Sequence, residues 1–230
     1  LDFIMRTTSV SVSFPSRTSS LAAVAVAVAG ISATGSTARA DGELGDVWIS
    51  SVGGTLVTGG FDHTTGTVLD PSQRVFAAEF GEDPLFPFSI DEPGFTSDLI
   101  GATMTVNLLS GLGRWNGSGF DAATSSLFMS YAGQDSSSIA GGSFSFLVTS
   151  GIDLHPEFTL LDPLDGIYLA SFTASSAGFA TSETFYVLFN LNESEIDHDE
   201  AIEWVEANIV PAPGALALLA AGAVLRRRRR

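Results

Sequence analysis

Between residues 41 and 209, apolar and polar positions alternate in short runs. Residues 103–108 place Met104, Val106 and Leu108 on one face, and residues 143–148 do the same with Phe144, Phe146 and Val148. Two further runs, 46–50 and 54–58, flank Gly53-Gly54, which predicts a hairpin. Residues 74–80 predict a third strand. Residues 127–131, 167–172 and 185–189 are continuously apolar, too short for helices and rich in aromatics. They are expected to be strands buried on both faces. Gly, Ser, Thr and Asp-Pro punctuate these runs, and 81–97 reads as a long Pro-rich loop. Many short strands with turn signals predict a mainly β domain, a β-sandwich or jelly-roll. One helix is expected near its end. Asn192 and Ser194 offer overlapping caps, acids crowd the first turns, and Ile202, Val205 and Ile209 form an apolar stripe.

The pattern changes at both ends. Arg6 and Arg17 precede a small apolar run at 21–31, and Ala38-Arg39-Ala40 supplies an A-x-A cleavage pattern. These are the parts of a secretory signal peptide over 1–40, with Met5 as the expected start and a cut before Asp41. At the other end stand Val210-Pro211-Ala212-Pro213-Gly214, an apolar run from Ala215 to Leu225, and five arginines, Arg226, Arg227, Arg228, Arg229 and Arg230. Two prolines cannot both sit inside a helix, so 210–214 is expected to be a stiff hinge. The 16 residues from 210 to 225 would span about 24 Å as a helix. That is short against a hydrocarbon core of roughly 30 Å, but arginine stems reach the interface. The cationic block reads as a cytoplasmic stop.

Charge sharpens the division. Of 26 Asp and Glu, only Asp2 lies outside 41–209, while eight of the 10 arginines do, and there is no lysine. The body therefore carries 25 acids against Arg74 and Arg114, a net charge of −23. Such a surface repels nucleic acid and anionic lipid. With no cysteine, disulfide scaffolds and thiol chemistry are excluded.

Three constellations can be drawn from the residues. Asp153 and His155, at i and i+2, share one face of an extended segment, and with His198 they make a zinc-competent set. Glu79, Glu82, Asp83, Asp91 and Glu92 around the Pro-rich loop are oxygen donors suited to Ca²⁺. For hydrolysis, Gly117-Ser118-Gly119 lacks the nucleophile-elbow frame, and no His-Glu-x-x-His occurs. Trp48, Trp115, Tyr131 and Tyr168 are candidates for a sugar-stacking platform or for core.

Pro211-Ala212-Pro213-Gly214, the apolar run and the arginine cluster resemble a PEP-CTERM sorting signal, with Ala212 where the eponymous Glu stands. The resemblance implies transient membrane anchoring and processing by an exosortase-type membrane transpeptidase, with delivery to the cell surface or extracellular polysaccharide.

The body carries a second resemblance. Thr58-Gly59-Gly60-Phe61-Asp62, Arg74-Val75-Phe76, Glu79-Phe80-Gly81-Glu82-Asp83-Pro84, Asp91-Glu92-Pro93-Gly94-Phe95, Trp115-Asn116-Gly117, Asp165-Gly166-Ile167-Tyr168-Leu169 and Ala201-Ile202-Glu203-Trp204-Val205 occur in that order. Together they resemble PEP-CTERM proteins of cyanobacteria and planctomycetes repressed by the zinc-uptake regulator. That family's pattern implies a His near the first strand, a His-x-His pair and a His in the acidic helix. Here His155 matches the second His of the pair, Asp153 stands at the first, and His198 matches the helical one. Leu44 stands where the first-strand His is expected. The expectation is an exported, non-enzymatic surface protein with zinc as its candidate cofactor. A carbohydrate-binding module and a secreted hydrolase are the alternatives.

Overall fold

The computed structural model describes residues 45–210. The signal segment with Ala38 and Ala40, and the tail from Pro211 to Arg230, lie outside the described residues. The described chain is mainly β with one helix near its end.

The predicted hairpin forms from β1 (Asp46–Val52) and β2 (Thr55–Asp62), paired antiparallel with Asp46 opposite Phe61. Gly53 and Gly54 make the turn at φ 60° and 84°, the positive values that a two-residue hairpin loop demands. Next come β3 (Thr67–Asp70), β4 (Val75–Glu79), β5 (Ser89–Ile90) and β6 (Phe95–Ser97). The stretch read as a long loop thus contains two short strands. One of them, β6, runs parallel to β1 and pairs with it from Val47–Phe95 to Ile49–Ser97. The Glu92–Pro93 peptide before it is cis.

The rest of the chain forms β7 (Thr103–Leu108), β8 (Gly113–Trp115), β9 (Phe120–Ala122), β10 (Ser126–Tyr131), β11 (Gln134–Ser137), β12 (Gly142–Leu147), β13 (Glu157–Leu161), β14 (Gly166–Ser176) and β15 (Phe185–Leu191). Two four-stranded sheets run β3-β2-β1-β6 and β11-β10-β13-β5. The third, seven-stranded, contains β12-β7-β14-β15-β4 with β8 and β9 attached beside β14.

Burial follows the period-2 pattern. Phe76, Tyr168, Phe172, Phe185 and Phe189 of the large sheet join Val47, Ile49, Phe95, Leu127 and Phe158 of the smaller sheets in one core. The alternate residues Val75, Ile167, Leu169 and Leu188 face the other way and meet Ala201 and Val205 of the helix α1 (Glu195–Asn208). So β14 and β15 are buried on both faces, as their apolar runs predict. β10 is buried on one, because Phe128 and Ser130 stay partly exposed. Fully burying each large side chain stabilises by about 1.5–3 kcal/mol. Ser194 caps α1, its hydroxyl accepting the Asp197 N–H. The buried stripe is His198, Ala201 and Val205. It is offset from the expected Ile202–Val205–Ile209 stripe, whose Ile202 and Ile209 pack only partly against the same cluster.

Candidate metal centre

Four chain segments meet at the start of β1. The Val47 N–H donates to the Gly94 carbonyl at 2.9 Å, which brings Glu92 and Gly94 beside Asp46. Phe95 and Leu154 exchange backbone hydrogen bonds of 2.7 and 3.2 Å, so Asp153 and His155 arrive from the strand approach to β13. The hairpin register returns the end of β2 to Asp46. His63 follows directly, held in a turn where Asp62 accepts the N–H groups of Thr64 (2.8 Å) and Thr65 (3.2 Å). The Thr65 hydrogen bonds hold the exposed Asp62 carboxyl below its ordinary pKa.

The result is a cluster of two imidazoles and three carboxylates. Ligand atoms of Asp46, His63 and Asp153 lie within 4.8 Å of one another, as do those of Asp46, Glu92 and His155. His63 Nε2 is 2.6 Å from Asp46 Oδ2 and 3.3 Å from Asp153 Oδ1. The same Asp153 Oδ1 is 2.9 Å from His155 Nε2. The Asp91 carbonyl, 3.0 Å from His155 Nδ1, can only accept, so Nδ1 carries the hydrogen. Nε2 of the neutral ring then turns a lone pair toward a carboxylate oxygen. At that distance a proton on Nε2 makes the contact a hydrogen bond from a cationic ring, while a metal ion would sit to one side, bound by both atoms. A backbone carbonyl that orients the ring in this way is the usual outer partner of a metal-bound histidine.

Gly94 is part of the construction. Its N–H donates to Asp46 Oδ1 at 2.7 Å and to Glu92 Oε2 at 3.0 Å. A Cβ at this position would lie 2.7 Å from both Asp46 Oδ1 and His155 Cε1, so any side chain here would displace the donors themselves.

Protonation reports the crowding. Burial, and then the charge of Asp46, push the Glu92 carboxyl up to about 7. Burial by itself would lower the His155 pKa. The Asp91 carbonyl and the charges of Glu92, Asp153 and Asp46 outweigh it and hold the ring above its ordinary value. No family model matches the chain, and no curated protein matches it.

Of the expected zinc set, Asp153 and His155 are brought together, and His198 is not with them. It is buried in α1 and faces Glu79 and Glu195 instead. His63, Asp46 and Glu92 complete the centre in its place. The five acids proposed for Ca²⁺ do not converge. Glu79 turns to His198 and Glu92 to His155, while Asp83 accepts the Leu85 N–H at 2.8 Å. Nor do the four aromatics share a platform. Tyr168 is fully buried, Tyr131 packs on Phe144, and Trp115 packs on Phe120 and Trp204. Ser118 sits in the turn between β8 and β9, and its hydroxyl bonds the Asn116 side chain at 3.1 Å rather than a histidine. Val210 is the one sorting-motif residue described; it packs against the helix cluster, and its N–H donates to Val205 O.

Proposed function

We propose that this chain is an exported, non-enzymatic β-sandwich protein that captures a divalent cation, zinc foremost, at Asp46, His63, Glu92, Asp153 and His155. In this reading a signal peptide over 1–40 directs export, with cleavage after Ala40. The tail at 210–230 anchors the chain until an exosortase-type transpeptidase processes it at the cell surface. The single observation that carries the cation reading is Asp153 Oδ1 standing between His63 Nε2 and His155 Nε2, with His155 already oriented by the Asp91 carbonyl. Mixed nitrogen and carboxylate donors favour zinc over Ca²⁺ or Mg²⁺, which prefer oxygen alone. A divalent ion also offsets the charge of three carboxylates gathered in one place.

Calorimetric titration of the full chain in detergent, after chelator treatment and dialysis, tests this. Saturable zinc binding that survives millimolar Ca²⁺ and Mg²⁺ is expected. A His63→Ala/His155→Ala variant that still folds should lose the equivalent bound here. Unchanged stoichiometry in that variant would remove the proposal.

A further inference from the structure

We propose that Glu79, Glu195 and His198 form a second divalent-cation site that clamps α1 to the edge strand β4. The site is independent of the first and uses none of its residues. Glu79 is the last residue of β4, and Glu195 precedes His198 by three positions, so the two helical side chains share one face. One ligand atom from each residue lies within 4.8 Å of the others.

The orientation of His198 carries the inference. The residue is 2% exposed. Its Nε2 faces the Leu188 carbonyl at 3.3 Å, and its Nδ1 faces Glu79 Oε1 at 3.3 Å. A carbonyl oxygen accepts only, so Nε2 carries the hydrogen, and Nδ1 is the ring nitrogen turned to the carboxylate. Glu195 adds a second carboxylate on the exposed side. Neither arginine of the domain reaches this site. Arg74 bonds Glu183 and the Thr184 carbonyl, and Arg114 bonds the Asp165 carbonyl. The body 41–209 has no other arginine and no lysine. A cation from solution can add the charge that neither arginine brings. One imidazole and two carboxylates, with the Glu195 side open to water, suit zinc with a water as fourth ligand.

The clamp predicts a local effect. α1 touches the sheet through few residues, Ala201 and Val205 chief among them. An ion held by both β4 and α1 should slow opening of the helix. Zinc titration of the full chain, read by stoichiometry and by amide hydrogen exchange, is the test. Two equivalents are expected for the native chain. Glu195→Gln changes an exposed side chain, so folding is preserved. It should weaken the second equivalent roughly 10- to 100-fold and abolish the zinc-induced slowing of exchange in 195–208. His198→Ala should do the same wherever it folds. In His63→Ala/His155→Ala the slowing in α1 should persist, which separates failure of one centre from failure of the other. Unaltered zinc binding in Glu195→Gln, or no change in α1 exchange on adding zinc to the native chain, would overturn the clamp.

Discussion

Glu92 shows how a single residue would couple charge to the proposed cation binding. Its carboxyl is driven up to about 7 from an ordinary 4.5, so between those values the folded chain holds a proton that the unfolded chain has released. Stability then falls as pH rises through that window. His155, whose pKa is raised, acts in the same direction, because its contribution is present at low pH and lost as the ring deprotonates. Glu195 and Glu206 are raised as well and add to the trend. Metal-free protein should therefore melt at a lower temperature at pH 8 than at pH 5.5. Zinc bound as proposed would replace the protons and should reverse the order. Thermal scans in chelator and in zinc, with Glu92→Gln expected to be flatter in chelator, check this. A metal-free melting temperature that climbs from pH 5.5 to 8 would contradict the electrostatics. At this scale the sequence disclosed only part of the centre. Asp153 and His155 are legible because an i, i+2 pair needs no tertiary information. His63 is not, since its approach to Asp46 depends on a hairpin register and on the turn made by Asp62. Glu92 reads as a loop acid until β6 pairs with β1.

Among elements, those with strong periodicity were legible and the polar ones were not. β7, β12, β14 and β15 follow from alternation or from apolar runs, and the β1–β2 hairpin from its glycine pair. Strand β11, Gln-Asp-Ser-Ser, has no apolar face to announce it and forms because β10 offers it a paired edge. β5 and β6 are similarly short and gain their conformation from partners far along the chain. For α1 the cap is Ser194 rather than Asn192, and the expected stripe holds at Val205, with Ile202 and Ile209 only partly buried beside it. The buried position a turn before Ala201 is a histidine, which periodicity arguments score as polar. That makes the cap energetically important, because α1 has only a short apolar seam. Ser194→Ala removes the hydroxyl that accepts the Asp197 N–H at 3.2 Å and should cost about 1 kcal/mol. Denaturant melts would show it as a lower midpoint with an unchanged slope. Hydrogen exchange should place the loss in the first turn. An unchanged midpoint would mean that the Glu79–His198 contact alone holds the helix start.

The whole molecule divides by charge. A body with 25 acids and two arginines stands between segments that hold the remaining eight arginines. The body has little means of neutralising itself, and each of its three histidines, His63, His155 and His198, is placed against carboxylates. That arrangement suits a compartment where cations arrive from outside. The basic, apolar tail suits a membrane. No described helix is long and apolar enough to cross one, and the candidate span at 210–225 lies almost wholly outside the described residues. The Pro211-Ala212-Pro213 sequence makes the division testable. If Pro211 and Pro213 present the junction to a processing enzyme, Pro211→Ala/Pro213→Ala should let the helix run on and hide it. The variant should then accumulate at full length in the membrane fraction, while the native chain should lose its tail and leave. The substitution does not touch the clusters around Asp46 and His198, so zinc binding by the body should be unaffected. Release of the variant with the same mass as the native product would show that the prolines do not direct processing.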